Sequence, residues 1–239
     1  MASLEAGKHV FCEKPLALTF EGLGRIARAW RASPGHLMVG FNRRHAAAVI
    51  TARRHMGETG GPLVITYRVN AGRLPPQHWY MDRRQGGRLI GEVCHFIDTC
   101  GFLVGHHVTS VSCVGSARGE ALLDQDLIVT LRYADGSVAT ISYASGGDRS
   151  TSKERIEVLG RGHSALVDDF RRTLLDGKRQ KGLRGDKGHE AEMRVLRQII
   201  LSVKRGEDVT LPALDSMAAT LAAAQSLVTG LSVCPPHAL

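Results

Sequence analysis

Glu92, His95 and Asp98 follow one another at intervals of three behind a Gly86-Gly87 pair, and this spacing is the part of the sequence best suited to chemistry. On a helix, residues three apart are neighbours, so carboxylates above and below an imidazole can orient it. An imidazole held that way can act as a general acid or base. Leu89, Val93, Phe96, Ile97, Cys100, Leu103 and Val104 recur at helical spacing on the other side. The segment therefore reads as an amphipathic helix with one apolar and one ionisable face. Any surface helix shows such a polar stripe, so the pattern alone does not establish catalysis.

A second reactive group stands far upstream. The short apolar run Val10-Phe11-Cys12 leads into Glu13-Lys14-Pro15, where proline stops the strand and holds Lys14 in extended backbone. A lysine at the carboxyl end of a buried strand lies where α/β sheets bind ligands. The alternative is a solvated strand end.

These groups must be positioned by the surrounding elements. Residues 1–7 read as a helix end, and Thr19 can cap a helix bearing Leu23, Ile26, Ala27 and Trp30, stopped by Ser33-Pro34-Gly35. Leu37 to Phe41 forms a second strand, which delivers Asn42-Arg43-Arg44. This portion resembles the closing fragment of a parallel sheet. Gly22-Leu23-Gly24-Arg25-Ile26-Ala27 fits the dinucleotide fingerprint in letters, but no strand precedes it directly and no acid ends the next strand. Those glycines belong inside the capped helix.

After a helix over 46–56 the pattern changes. Strands are predicted over 63–69, 108–114, 126–133, 137–144, 155–159 and 165–167, with Asp135-Gly136 as a hairpin turn. Helices over 187–204 and 213–229, separated by Arg205-Gly206 and Pro212, close the chain. The expected class is α/β (α+β): a partial Rossmann-type parallel fragment over 1–45, then over 46–239 a large mixed or antiparallel sheet with helices on one face.

Composition narrows the functions. With 239 residues and 43% hydrophobic content the chain can bury a core, and its net charge of +8 is scattered in short clusters. Aromatics, at 5%, do not interleave with the basic residues, which argues against nucleic-acid binding. No apolar run is long enough for a membrane span. Five cysteines without a CxxC pair and no apolar leader fit a reduced cytoplasmic setting. Cys94, His95, Cys100, His106 and His107 match no standard ligand spacing, so no metal site is expected. Trp79 and Tyr80 can stack on a sugar ring or simply pack a loop, and Arg44, His45, His106 and His107 are read as exposed polar positions without a role.

Four stretches in register carry a family likeness. Ala6-Gly7-Lys8-His9-Val10-Phe11-Cys12-Glu13-Lys14-Pro15-Leu16-Ala17, Val39-Gly40-Phe41-Asn42-Arg43-Arg44, Gly91-Glu92-Val93-Cys94-His95-Phe96-Ile97-Asp98, and Lys187-Gly188-His189 with Ser226-Leu227 together resemble the Gfo/Idh/MocA oxidoreductases. The resemblance implies Lys14 beside the nicotinamide and the substrate hydroxyl, and His95 as catalytic acid/base. It implies Arg43, Glu92 and Asp98 along the substrate pocket, with Glu13, Lys14, Pro15 and Asn42 at the cofactor. The implied cofactor is NAD or NADP, and the implied substrate a small sugar or polyol.

The chain departs from the family in two places. Gly91 stands where the family often has aspartate, with Glu92 beside it. The first strand, glycine fingerprint and ribose-binding acid have no counterpart, so a truncated portion, or one completed by another polypeptide, is expected. A homo-oligomer is expected from the open sheet. The competing function is a non-catalytic remnant that binds polyhydroxylated ligands or serves oligomerisation.

Overall fold

The computed structural model describes residues 1–116, 120–183, 185–201 and 207–236. Helix α1 (Ala2–Glu5) leads to strand β1 (Val10–Cys12), helix α2 (Phe20–Ala32) and strand β2 (Leu37–Val39), and β1 and β2 pair in parallel. Thr19 caps α2 by accepting a hydrogen bond from the Gly22 amide, which places Gly22 and Gly24 inside the helix as the sequence predicts.

A turn over Asn42–His45 leads into α3 (Ala47–Met56) and β3 (Leu63–Asn70). A long loop then reaches a π-helical turn, Leu89–Val93, which runs directly into α4 (Cys94–Val104). Strands β4 (Val108–Gly115), β5 (Leu127–Tyr133), β6 (Val138–Ala144), β7 (Glu154–Gly160), β8 (His163–Asp168), β9 (Arg172–Leu175) and β10 (Lys178–Arg179) follow, then α5 (His189–Leu201) and α6 (Glu207–Thr229).

The eight strands β10-β9-β8-β7-β3-β6-β5-β4 form one mixed sheet. Strand β3 is its centre, parallel to β6 and antiparallel to β7, and β5 and β6 form the hairpin expected across Asp135-Gly136. Alternation along β3 buries Leu63, Ile65, Tyr67 and Val69 against the helices. The opposite face is uncovered and carries Val64, Ile128, Val138 and Leu159 exposed. The expected fold class is thus the observed one: a small parallel sheet beside a large mixed sheet with helices on one face.

Several expectations are revised. Strands β9 and β10 were not anticipated, because they are short and carry no apolar run. Pro212 lies inside α6 rather than ahead of it. The expected Arg205-Gly206 break lies outside the described residues. Both sides of α4 are covered, so His95 is 8% exposed and Asp98 not at all; the ionisable stripe is an interior one. All five cysteines are free. Among the described residues no helix is long and apolar enough to cross a membrane.

Candidate active site

The parallel pair β1 and β2 places Lys14 just past the carboxyl end of β1, where strand backbones leave side chains free to meet a ligand. Its ammonium donates to the Gly91 carbonyl at 2.6 Å and to the Tyr80 hydroxyl at 3.3 Å. Tyr80 in turn donates to the same carbonyl at 2.9 Å. Gly91 belongs to the π-helical turn, a distortion that often occurs at functional sites. A Cβ at Gly91 would come within 2.1 Å of the Tyr80 ring, so glycine is what lets the aromatic lie against the turn. An ammonium has three donors; with two engaged, one is left for a bound oxygen.

Lys14 and His95 border one cleft of about 310 Å³, together with Arg43, Tyr80, Arg88, Glu92 and Lys153. The His95 ring packs edge-on against Phe41, and its Nδ1 is buried without a hydrogen-bond partner. Burial, reinforced by the Arg43 and Lys14 cations, holds its pKa well below the ordinary histidine value. Burial and these cations favour the neutral imidazole. The cleft shares Ala71, Leu74 and Lys153 with a groove of about 780 Å³ at the end of the sheet.

Glu92 is held by three groups. Arg88 donates to Oε2 at 2.9 Å, the Tyr143 hydroxyl donates to the same oxygen, and Lys153 approaches Oε1 at 3.2 Å. Burial by itself raises a carboxyl pKa, but the Tyr143 hydrogen bond, Lys153 and Arg88 outweigh it and hold Glu92 below the usual range. These contacts favour the carboxylate form of Glu92, which is suited to accepting hydroxyl hydrogens.

Arg43 is fixed from behind. Its Nε and Nη2 donate to Glu154 at 2.8 and 2.9 Å, and its guanidinium lies over the Phe96 ring at 5.0 Å. Glu154, 1% exposed, also accepts from the Tyr67 hydroxyl at 2.7 Å and from Lys187 at 2.6 Å. Gly188, beside Lys187, packs so tightly on the 42–46 backbone that a Cβ would meet the Asn42 carbonyl at 2.2 Å. The Lys-Gly-His stretch is thus a clamp on the Arg43 turn.

Four predicted residues do not line the cleft: Asp98, Asn42, Glu13 and Pro15. Asp98 is bound by Arg44 (Nε to Oδ2, 3.0 Å) and by Ser216 of α6 (3.0 Å), one helical turn past the point where the cleft ends. Asn42 is buried and donates its amide to the Lys187 carbonyl at 2.8 Å. Arg44 and His45, read from the sequence as exposed, are an interior cation 6% exposed and a half-buried imidazole, whereas His106 and His107 are exposed as expected. Sequence reasoning missed Glu154, Lys153 and Tyr143, which come from distant strands or loops. Arg88 was detectable, since it stands four residues before Glu92.

Glu13 is exposed, and its carboxylate lies over Gly40, where a Cβ would come within 2.9 Å of Oε2. Glu13 and half-buried Pro15 adjoin Lys14 in the chain, and Asn42 is committed elsewhere. Among the described residues, Cys94, His95, Cys100, His106 and His107 form no ligand cluster.

Comparison with known proteins identifies the lineage. Residues 49–165 match a family model described as the GFO/IDH/MocA C-terminal domain, and residues 1–41 match the oxidoreductase family, NAD-binding Rossmann fold. The chain belongs to the GFO/IDH/MocA oxidoreductases. It is 31% identical to the uncharacterized oxidoreductase YrbE of Bacillus subtilis (strain 168), over 77% of this chain and 55% of that protein. It is 27% identical to the myo-inositol 2-dehydrogenase of Thermotoga maritima, over 87% of this chain and 66% of that protein.

The chain therefore spans about 55 to 66% of the length of these two curated relatives. Among solved structures, an oxidoreductase domain protein from Kribbella flavida superposes with a TM-score of 0.83 at 22% identity, covering 99% of this chain and 76% of that one. The WlbA dehydrogenase from Bordetella pertussis, in complex with NADH and UDP-GlcNAcA, gives 0.75 at 22% identity over 98% and 74%.

Proposed function

We propose that this chain carries the catalytic and substrate-binding portion of an NAD(P)-dependent dehydrogenase acting on a CH–OH group of a sugar or polyol. The observation that supports it most is the shared cleft: Lys14 from the parallel fragment and His95 from α4 face the same space. In this reading the neutral His95 takes the hydroxyl proton of the substrate, an effect worth about 10²–10⁴-fold in rate. Lys14 directs its remaining N–H at the same oxygen and favours its developing negative charge. Glu92, fixed by Arg88, Tyr143 and Lys153, accepts a neighbouring hydroxyl, and Arg43 keeps the cleft positive. When bound, NAD or NADP supplies the hydride acceptor, with Glu13, Lys14 and Pro15 along its nicotinamide edge.

The division we favour is 1–45 for the dinucleotide-binding portion and 46–239 for the substrate portion, supported by the limits of the two family models. A homo-oligomer belongs to the same reading, supported by the uncovered apolar side chains of the large sheet. One second reading is binding of polyhydroxylated ligands without turnover.

The test is reduction of NAD⁺ or NADP⁺ by a panel of inositols and aldoses. It uses this chain alone and this chain fused to the strand–glycine turn–helix unit of the Thermotoga maritima relative. The expected result is turnover in the fused protein that Lys14→Met and His95→Gln abolish. A fused protein that binds NADH by calorimetry, binds inositol and oxidises none of the panel supports the second reading and refutes the first.

A further inference from the structure

Away from the cleft, where α3 crosses the edge strands, three side chains from three elements converge. His55 sits in the last turn of α3, His163 opens β8, and Asp176 lies in the tight turn between β9 and β10. One ligand atom from each falls within 4.8 Å of the other two. Asp176 Oδ2 is 3.1 Å from His55 Nε2 and 3.0 Å from His163 Nδ1. A tetrahedral ion about 2.0–2.2 Å from its ligands sets neighbouring ligand atoms about 3.3 Å apart. The carboxylate oxygen therefore already stands at about the separation such an ion requires.

The carboxylate is also aimed. Asp176 Oδ1 accepts the Ser164 amide at 2.7 Å while the Asp176 amide donates to the Ser164 carbonyl at 2.9 Å, so the side chain cannot swing and Oδ2 faces the rings. His55 Nε2 is buried and makes no hydrogen bond, although the oxygen is 3.1 Å away. The carboxyl end of α3, where backbone carbonyls accumulate partial negative charge, adds a field that favours a cation.

We propose that His55, His163 and Asp176 bind one divalent transition metal, with zinc the best match to two imidazoles and one carboxylate. The ion clips the end of α3 to the β8–β9 edge. Water completes its coordination, since the His163 and Asp176 side chains are 46% and 42% exposed. This site contains none of the cysteines and histidines that the sequence alone brings to mind, because its ligands are scattered over three elements.

The test uses the untagged chain, stripped with EDTA and titrated with zinc chloride at pH 7.5 by calorimetry, beside His163→Gln and the pair His55→Gln with His163→Gln. The expected result is one zinc per chain, a thermal midpoint that rises with zinc and falls back with EDTA, and affinity lower by about tenfold or more in the single variant. The double variant should lose the midpoint rise while matching the metal-free wild type in circular dichroism. Cobalt should give d–d bands of a nitrogen–oxygen site without a thiolate charge-transfer band, and binding should weaken on acidification as the imidazoles protonate. Stoichiometric binding retained by the double variant, a cobalt–thiolate band, or no binding at about 100 µM zinc would each overturn the proposal; in the last case the three residues are a hydrogen-bonded bracket only.

Discussion

Glu154→Gln tests whether the Arg43 side of the cleft is held by a buried ion pair. The carboxylate is 1% exposed and accepts from Arg43 twice, from Tyr67 and from Lys187. Burial alone would raise its pKa, but the Arg43 and Lys187 contacts outweigh it and hold it at about 2, against 4.5 for a free glutamate. At about 1.4 kcal/mol for each tenfold change in proton affinity, that difference corresponds to about 3 kcal/mol. Removing one partner of a buried ion pair independently suggests about 3–5 kcal/mol.

For a chain of this size the midpoint should fall by about 6–12 °C. Because the folded-state pKa is depressed, this stability is present above pH 4.5 and is lost as pH falls through about 2. Urea unfolding should therefore show a gap between wild type and variant of about 3 kcal/mol at pH 7, narrowing to about 1 kcal/mol at pH 3. A loss under about 0.5 kcal/mol at pH 7, or a gap that stays constant with pH, would refute the ion-pair argument.

Four further outcomes are expected. In the fused, active form, Lys14→Met should lower kcat/KM by about 10²–10³-fold, as loss of one oxyanion donor does, with little change in thermal midpoint because Lys14 is only half-buried. A midpoint shift as large as that of Glu154→Gln would mark Lys14 as structural. Gly91→Ala should push the Tyr80 ring off the π-helical turn and lower kcat more than it raises KM; unchanged kinetics would show that the Tyr80 contact is idle. Glu192 is buried near Glu13 and Asp98, and its pKa is pushed up to about 7, first by burial and then by those carboxylates. Since a raised carboxyl pKa stabilises the fold below 4.5 and loses that contribution as pH rises through 7, Glu192→Gln should match wild type at pH 4 and exceed it in urea resistance at pH 8. His45, held at about 4 by burial and Arg44, works oppositely: its stabilisation fades as pH falls from 6.5 towards 4, and His45→Gln should flatten that part of the stability curve.

Local features of the fold were legible in the sequence. Thr19 announced α2 because its hydroxyl satisfies an amide three residues on, and Asp135-Gly136 announced the β5–β6 hairpin because that turn needs a positive φ at glycine. The apolar spacing of 89–104 correctly gave the buried side of α4. These patterns act through hydrogen bonds and packing within a few residues, so they survive without tertiary context. Lys14 and His95 were singled out from residue type, motif and family likeness, and the fold brings both to the border of one cleft.

Which partner each charged group takes was decided only by tertiary packing. Helical spacing gave Glu92 and Asp98 equal standing beside His95, yet Glu92 opens on the cleft, while Asp98 is capped by Arg44 and by Ser216 of α6. Glu154, Tyr67, Lys187 and Arg43 lie far apart in the chain, and nothing local marks them as one network. The same is true of His55, His163 and Asp176. A buried charge must find compensation wherever the folded chain supplies it; the sequence determined the elements and singled out Lys14 and His95, and the folded arrangement of helices over the sheet determined which charges are neutralised and which border the cleft.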